Sequence, residues 1–198
     1  MSTNSSPLYD VEVLYDIRIP MRDGLELSAN LFRPVPRDAD ETFPAILEMI
    51  PYRKDSWRFA SDHQLMTYLA QRGFVGCRLD VRGTGSSPGI ALDEYTAIET
   101  QDGYDTVEWL AAQPWCNGRV GMWGISYGGF TSIQVAMLQP PSLKAIVPMY
   151  ATDDRYTDDV HYIGGCLTAS ELSQYALSQV GMNALPPKAK YLQGDWAE

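Results

Sequence analysis

The sequence predicts an α/β fold: a mostly parallel sheet with helices on both faces, opening with an antiparallel hairpin. Three observations carry that expectation. Alternating apolar and polar residues flank Asp23-Gly24, the pattern of two strands joined by a tight turn. Short apolar runs then alternate with stretches of helical spacing, as in a parallel sheet with crossover helices. Finally, Gly124-Ile125-Ser126-Tyr127-Gly128 sets a serine between one such run and a proline-free stretch. In that strand, turn and helix context a G-x-S-x-G signature reads as a nucleophile elbow.

The elements follow in order. Residues 1 to about 9 read as a loose tail. Val11, Val13, Tyr15, Ile17 and Ile19 alternate, and Leu25, Leu27, Ala29 and Leu31 resume the alternation after the turn until Pro34 and Pro36 stop it. Phe43 to Ile50 is a buried-strand run that breaks at Pro51. A loop rich in charge and aromatics leads to a helix over about 62–72, with Leu65, Met66, Leu69 and Ala70 on one face and Gly73 as its C-cap. Phe74 to Leu79 is the next strand, ending in Asp80, and Gly83, Gly85, Pro88 and Gly89 mark a loop. A helix over about 98–112 turns Tyr104, Val107, Leu110 and Ala111 inward, and Asn117-Gly118 closes the connection to the strand Arg119–Trp123. The elbow helix runs from Tyr127 to Leu138, stopped by Pro140-Pro141. Leu143 to Met149 is a sixth strand. From Ala151 the alternation ends, and the remainder reads as helix and loop.

Catalytic groups of such sheets belong at the carboxyl ends of strands, here Tyr52, Asp80 to Gly85, Ser126 and Tyr150 to Asp154. A serine pinned at a glycine-flanked turn projects its hydroxyl clear of the sheet. The bland reading of Ser126 is a helix N-cap. Tyr52 reads equally as an aromatic packed on its loop. Asp80 and Arg82 read as a structural ion pair or loop anchor, and Asp102 and Asp105 as solvated or capping.

A formal net charge of −10 argues against nucleic acid as a partner, because phosphate binding needs a basic face. Cys77, Cys116 and Cys166 are odd in number and lack metal-ligand spacing with the two histidines, so buried free thiols in a reducing compartment are expected. The start is polar, without the form of a signal peptide, and no run is long enough to span a membrane. A cytoplasmic protein is expected. No P-loop and no G-x-G-x-x-G occurs, so no cofactor and no metal is expected.

Taken together, these residues resemble the cocaine esterase and X-prolyl dipeptidyl-peptidase group (CocE/NonD, S15-type) of α/β-hydrolases. The resemblance rests on Trp115 to Gly129, on Pro51-Tyr52, on Asp80 to Ser87 and on Met21 to Leu27. It implies a serine hydrolase acting on small-molecule acyl esters or amides, with Ser126 as nucleophile. It also implies an oxyanion hole made by the Tyr127 amide and the Tyr52 hydroxyl. An amide at a helix start is a free donor in a favourable dipole field, and a phenol is a neutral donor at pH 7. The resemblance further places Asp158 and Asp159 where amino-acid ester hydrolases carry an acidic residue for an ammonium group, although solvated loop aspartates read as well. His161 joins them as a candidate substrate-binding residue.

In the resembling group the triad Asp and His follow the seventh and eighth strands. Only His63 and His161 are present here. The reading is therefore an α/β-hydrolase core over 10–150, incomplete after its sixth strand, and the start of a helical cap over 151–198. The catalytic acid and base are expected outside these residues, which alone should show no ester turnover. An open sheet edge would favour self-association. Two other readings remain: a catalytically incomplete fragment that acts as a binding or interaction module, and an acyltransferase using the same serine.

Overall fold

The computed structural model describes residues 6–56 and 59–191. Its first five residues, part of the expected tail, lie outside that range, as do 57–58 in the loop after the third strand and 192–198 in the expected cap. Leu8 and Tyr9 are not loose: both amides donate to the Gln71 carbonyl, at 2.9 and 3.3 Å, and the Tyr9 hydroxyl donates to Glu41 at 2.6 Å.

A six-stranded sheet carries the fold, in the order β1-β2-β4-β3-β5-β6. β1 (Val11–Pro20) and β2 (Glu26–Pro34) form the opening antiparallel hairpin, and β2 also pairs antiparallel with β4 (Val75–Asp80). β3 (Phe43–Ile50) runs parallel to β4 and to β5 (Cys116–Ile125), and β5 runs parallel to the edge strand β6 (Leu143–Met149). α1 (Phe59–Ala70), α2 (Ala97–Ala111) and α3 (Tyr127–Met137) fill the crossovers.

Two apolar clusters show that helices pack on both faces, although Val147 of β6 stays exposed. Leu27, Ala29, Leu47, Met49, Val75 and Leu79 pack with Val107 and Leu110 of α2 and Val135 of α3. On the other face, Phe32 packs with Met66 and Ala70 of α1. Burying a side chain such as Met66, which is wholly buried, contributes roughly 1.5–3 kcal/mol.

The odd-numbered alternation of β1 conceals a change of face. Val13 pairs with Phe32 and Leu14 with Leu31, yet Ile17 pairs with Ala29, so Tyr15 and Asp16 share one partner position in a β-bulge. Val11 and Val13 therefore pack with α1, whereas Leu14, Ile17 and Ile19 join the other core. Asp16 takes a positive φ of 55° there, and Asn30 Oδ1 accepts its amide at 3.1 Å.

β5 is longer than expected. It starts at Cys116, which pairs with Phe43, and the register shifts before Ala45 pairs with Val120. Asn117-Gly118 is thus an irregularity within the strand, with Gly118 at φ 77°, and not a turn before it. After β6 the chain is also less simple than expected. β7 (Tyr162–Ile163) and β8 (Cys166–Leu167) form a small antiparallel hairpin around Gly164-Gly165, followed by α4 (Ala169–Asn183). Cys77 and Cys116 are buried as expected, but Cys166 lies exposed on that hairpin.

Candidate active site

Ser126 stands at the carboxyl end of β5 with φ 57° and ψ −116°, a backbone conformation that L-residues rarely adopt. Holding it costs on the order of 1–3 kcal/mol, which the surroundings must supply. The Ser126 amide donates to the Met149 carbonyl of β6 at 2.8 Å, and the Ser126 carbonyl accepts from Gly129 and Phe130 at 2.8 and 3.0 Å. The turn closes because Gly124 and Gly128 have no side chains: a Cβ on Gly124 would lie 2.3 Å from the Gly128 carbonyl carbon. Ser126 precedes α3 in the N-cap position, yet its side chain makes no capping bond. The expectation of a simple N-cap serine is therefore not met.

Tyr127 is the first residue of α3, so its amide has no intrahelical acceptor and points out of a helix start. Tyr52 follows β3, the strand adjacent to β5, so both candidate donors and Ser126 emerge at one end of the sheet. The Tyr52 and Tyr127 rings meet edge to face at 6.2 Å between centroids. Tyr95 stacks on Tyr127 at 4.1 Å, and the Arg155 guanidinium lies 3.8 Å over Tyr95 and 4.1 Å over Phe130. The elbow is thus walled by aromatic rings under a cation.

The Tyr127 side chain has its own anchor. Its hydroxyl donates to Glu99 Oε2 at 2.7 Å in a buried site. Burial raises the Tyr127 phenol above the usual tyrosine range, reinforced by the neighbouring Glu99. Burial likewise raises Glu99, to about 7, while the Tyr127 bond opposes the shift. Thr96 and Glu99 sit at the start of α2, where Thr96 Oγ1 accepts the Glu99 amide at 3.3 Å. A T-x-x-E capping pattern could have drawn attention to Glu99, though that pattern usually describes an exposed helix start.

The loop carrying Tyr52 is held from below. Lys54 is buried, with Nζ 3.2 Å from Asp80 Oδ2 and 3.4 Å from Asp55 Oδ2, and its amide donates to Asp80 Oδ1 at 2.5 Å. Asp80 also accepts the Ser86 amide at 2.9 Å, so it does anchor the following loop. Burial pushes Asp80 upward, against the pull of Lys54. The expected Asp80–Arg82 pair is absent, because each residue has another partner. Arg82 makes a two-point bond to Asp102 at 2.8 and 2.6 Å and reaches Asp23 at 2.7 Å. Asp102 is accordingly buried, and Asp105 is engaged by Arg22 Nη2 at 2.7 Å; neither is the solvated or capping residue expected.

The three candidate substrate residues separate. Asp158 is exposed. Asp159 and His161 are buried and line a cavity of about 280 Å³ with Glu94, Tyr95 and Arg155. Asp159 Oδ2 is 3.9 Å from Arg155, and His161 Nε2 is 3.6 Å from Glu94 Oε2. Solvation therefore describes Asp158 and not Asp159. His63, on α1, packs edge-on against Phe32 at 4.9 Å. A larger cavity of about 430 Å³ is lined by Pro51, Leu92, Ile98, Glu99, Tyr127 and the α4 residues Leu172 and Tyr175, among others. Among the described residues no helix is long and apolar enough to cross a membrane.

Comparison with known proteins agrees with this geometry. The sequence model of the X-Pro dipeptidyl-peptidase (S15) family matches residues 23–198. Cocaine esterase from Rhodococcus sp. (strain MB1 Bresler) is 34% identical over 161 residues, which is 81% of this chain and 27% of the esterase. A CocE/NonD family hydrolase from Staphylococcus aureus superposes with a TM-score of 0.75 at 28% identity, over 87% of this chain and 33% of that one. An aminopeptidase from the marine sediment archaeon Thaumarchaeota archaeon does so with a TM-score of 0.73 at 26% identity, over 99% of this chain and 34% of that one. The chain thus spans about a third or less of the length of these relatives. With the elbow, the mixed sheet and the family match in agreement, the chain belongs to the X-Pro dipeptidyl-peptidase (S15) family of α/β-fold serine hydrolases.

Proposed function

We propose that this chain supplies the nucleophile and the oxyanion hole of a hydrolase that cleaves ester or amide bonds through an acyl-enzyme. Ser126 Oγ attacks the substrate carbonyl carbon and gives up its proton to a base. The carbonyl oxygen, now negative, is met by the Tyr127 amide and the Tyr52 hydroxyl. Collapse of the intermediate expels the alcohol or amine, and water releases the acyl group from Ser126. Each preorganised donor is typically worth about 3 kcal/mol of barrier.

The observation that carries the reading is the strained Ser126 backbone at a strand end, next to the first amide of α3. We assign the base and its orienting carboxylate outside the described residues, a reading supported by the chain's spanning only about a third of the length of its relatives. Residues 10–150 would then form the hydrolase core and the segment from 151 the start of a cap. The cavity of about 430 Å³ beside Tyr127 offers Leu92, Ile98 and Leu172 to an apolar part of the substrate.

The test is hydrolysis of a p-nitrophenyl ester by the complete protein and its variants. Ser126→Ala should abolish turnover, and Tyr52→Phe should lower kcat by roughly 10²-fold or more. Undiminished turnover by Ser126→Ala would end the proposal.

A further inference from the structure

We propose that Arg53 and Tyr175 are positioning residues for Tyr52, coupling the seating of α4 to the oxyanion hole. This rests on the reading of Tyr52 as an oxyanion donor. Four successive residues after β3 account for it, because each of them meets the α4 segment or the base beneath it.

The Tyr175 hydroxyl, on α4, is hydrogen-bonded to Tyr52, and burial first and then Tyr52 raise it above the ordinary tyrosine range. Arg53 Nη1 donates to the carbonyls of Met182 and Leu185 at 3.1 and 2.6 Å, and Nη2 donates to Pro186. Asp55 lies 3.5 Å from Lys188 Nζ, and burial first and then the nearby Asp55 charge raise the Tyr191 phenol. Lys54, held between Asp80 and Asp55, sits 5.2 Å from the Tyr191 ring.

The helix needs this support. α4 has no buried residue and no basic residue in its last turn, so no side chain of its own offers a cation to the dipole at its carboxyl end. The Arg53 guanidinium supplies that cation from outside the helix. Leu172, Tyr175, Ala176 and Gln179, at spacings of three, four and seven, then face the large cavity. Arg53 itself has φ 65°, in the left-handed region, immediately after Tyr52.

The chemistry we assign takes Tyr175 as the donor of its bond to Tyr52. With Tyr175 as donor, the Tyr52 oxygen is the acceptor and its own proton is left for the substrate oxygen. A hydroxyl that accepts one bond donates a stronger second one. Loss of either Arg53 or Tyr175 should therefore weaken the reaction through Tyr52 alone.

Steady-state hydrolysis of p-nitrophenyl acetate by the complete protein provides the test, with far-ultraviolet circular dichroism confirming that each variant is folded. Tyr175→Phe and Arg53→Ala should each lower kcat by about three- to tenfold with KM within twofold. Arg53→Lys should restore part of the loss. In a Tyr52→Phe background, Tyr175→Phe and Arg53→Ala should cause no further fall, because residues acting through one group are not additive. The same fold-loss in both backgrounds, or no loss in either, would overturn the proposal. A Tyr52→Phe protein with undiminished kcat would remove the oxyanion reading itself, and this inference with it.

Discussion

The Tyr127 hydroxyl donates to Glu99 Oε2 at 2.7 Å in a site where both residues are buried. The residue that carries the candidate oxyanion amide is thereby fixed at its side chain as well as by α3. Tyr127→Phe removes one partner of a buried pair and leaves the Glu99 carboxyl short of a donor. A loss of about 1–3 kcal/mol in denaturant unfolding is expected.

Glu99 should make stability depend on pH. Its folded value, about 7, lies above its ordinary value of 4.5 because burial penalises the carboxylate. The folded state then binds more protons than the unfolded state between these values. Stability is retained below pH 4.5 and falls as pH rises towards 7, by about 3 kcal/mol at most. Glu99→Gln keeps an acceptor for Tyr127 and cannot ionise. It should exceed the parent in stability at pH 8 and match it near pH 4.5, as read by thermal unfolding at the two pH values. A glutamine variant less stable at pH 8 would contradict the burial argument.

The elbow should not tolerate a methyl group. Gly124→Ala would place a Cβ 2.3 Å from the Gly128 carbonyl carbon, against backbone that cannot step aside. A loss of about 2 kcal/mol or more is expected, since overpacking of this kind forces the backbone to shift. Gly181→Ala is the contrast: on α4 its Cβ would meet nothing within 4 Å. A gain of up to about 1 kcal/mol is expected there from helix propensity. Differential scanning calorimetry of the two variants checks both signs.

Lys54→Met would leave Asp80 buried without its cation. Breaking such a pair by removing one partner costs about 3–5 kcal/mol, whereas replacing both is often close to neutral. Urea midpoints should therefore fall sharply for Lys54→Met and recover in Lys54→Met/Asp80→Asn.

What could be read from the sequence was what short-range pattern determines. The bounds of β3 and β6 coincide with the apolar runs Phe43–Ile50 and Leu143–Met149; β3 is buried along most of its length, whereas β6 is an edge strand with no buried residue and was legible from its apolar run alone. The elbow was legible because strand, glycines, serine and helix follow one another without a break from Cys116 to Met137. What escaped depends on distant partners. Arg82 meets Asp102 across 20 residues and Arg22 meets Asp105 across 83, and neither spacing leaves a local mark. The same holds for Glu99, whose burial follows from Tyr127, and for Arg53, which serves a helix more than 100 residues away. The β1 bulge was hidden for the opposite reason: an unbroken alternation of apolar residues masked the point where the strand turns over.

The most direct measurement is covalent labelling of the complete protein with a fluorophosphonate, the modified peptide being identified by mass spectrometry. A phosphonyl group on Ser126, absent after Ser126→Ala and formed more slowly after Tyr52→Phe, is the predicted result. An adduct on another serine, or ester hydrolysis that survives loss of the Ser126 hydroxyl, would contradict the account.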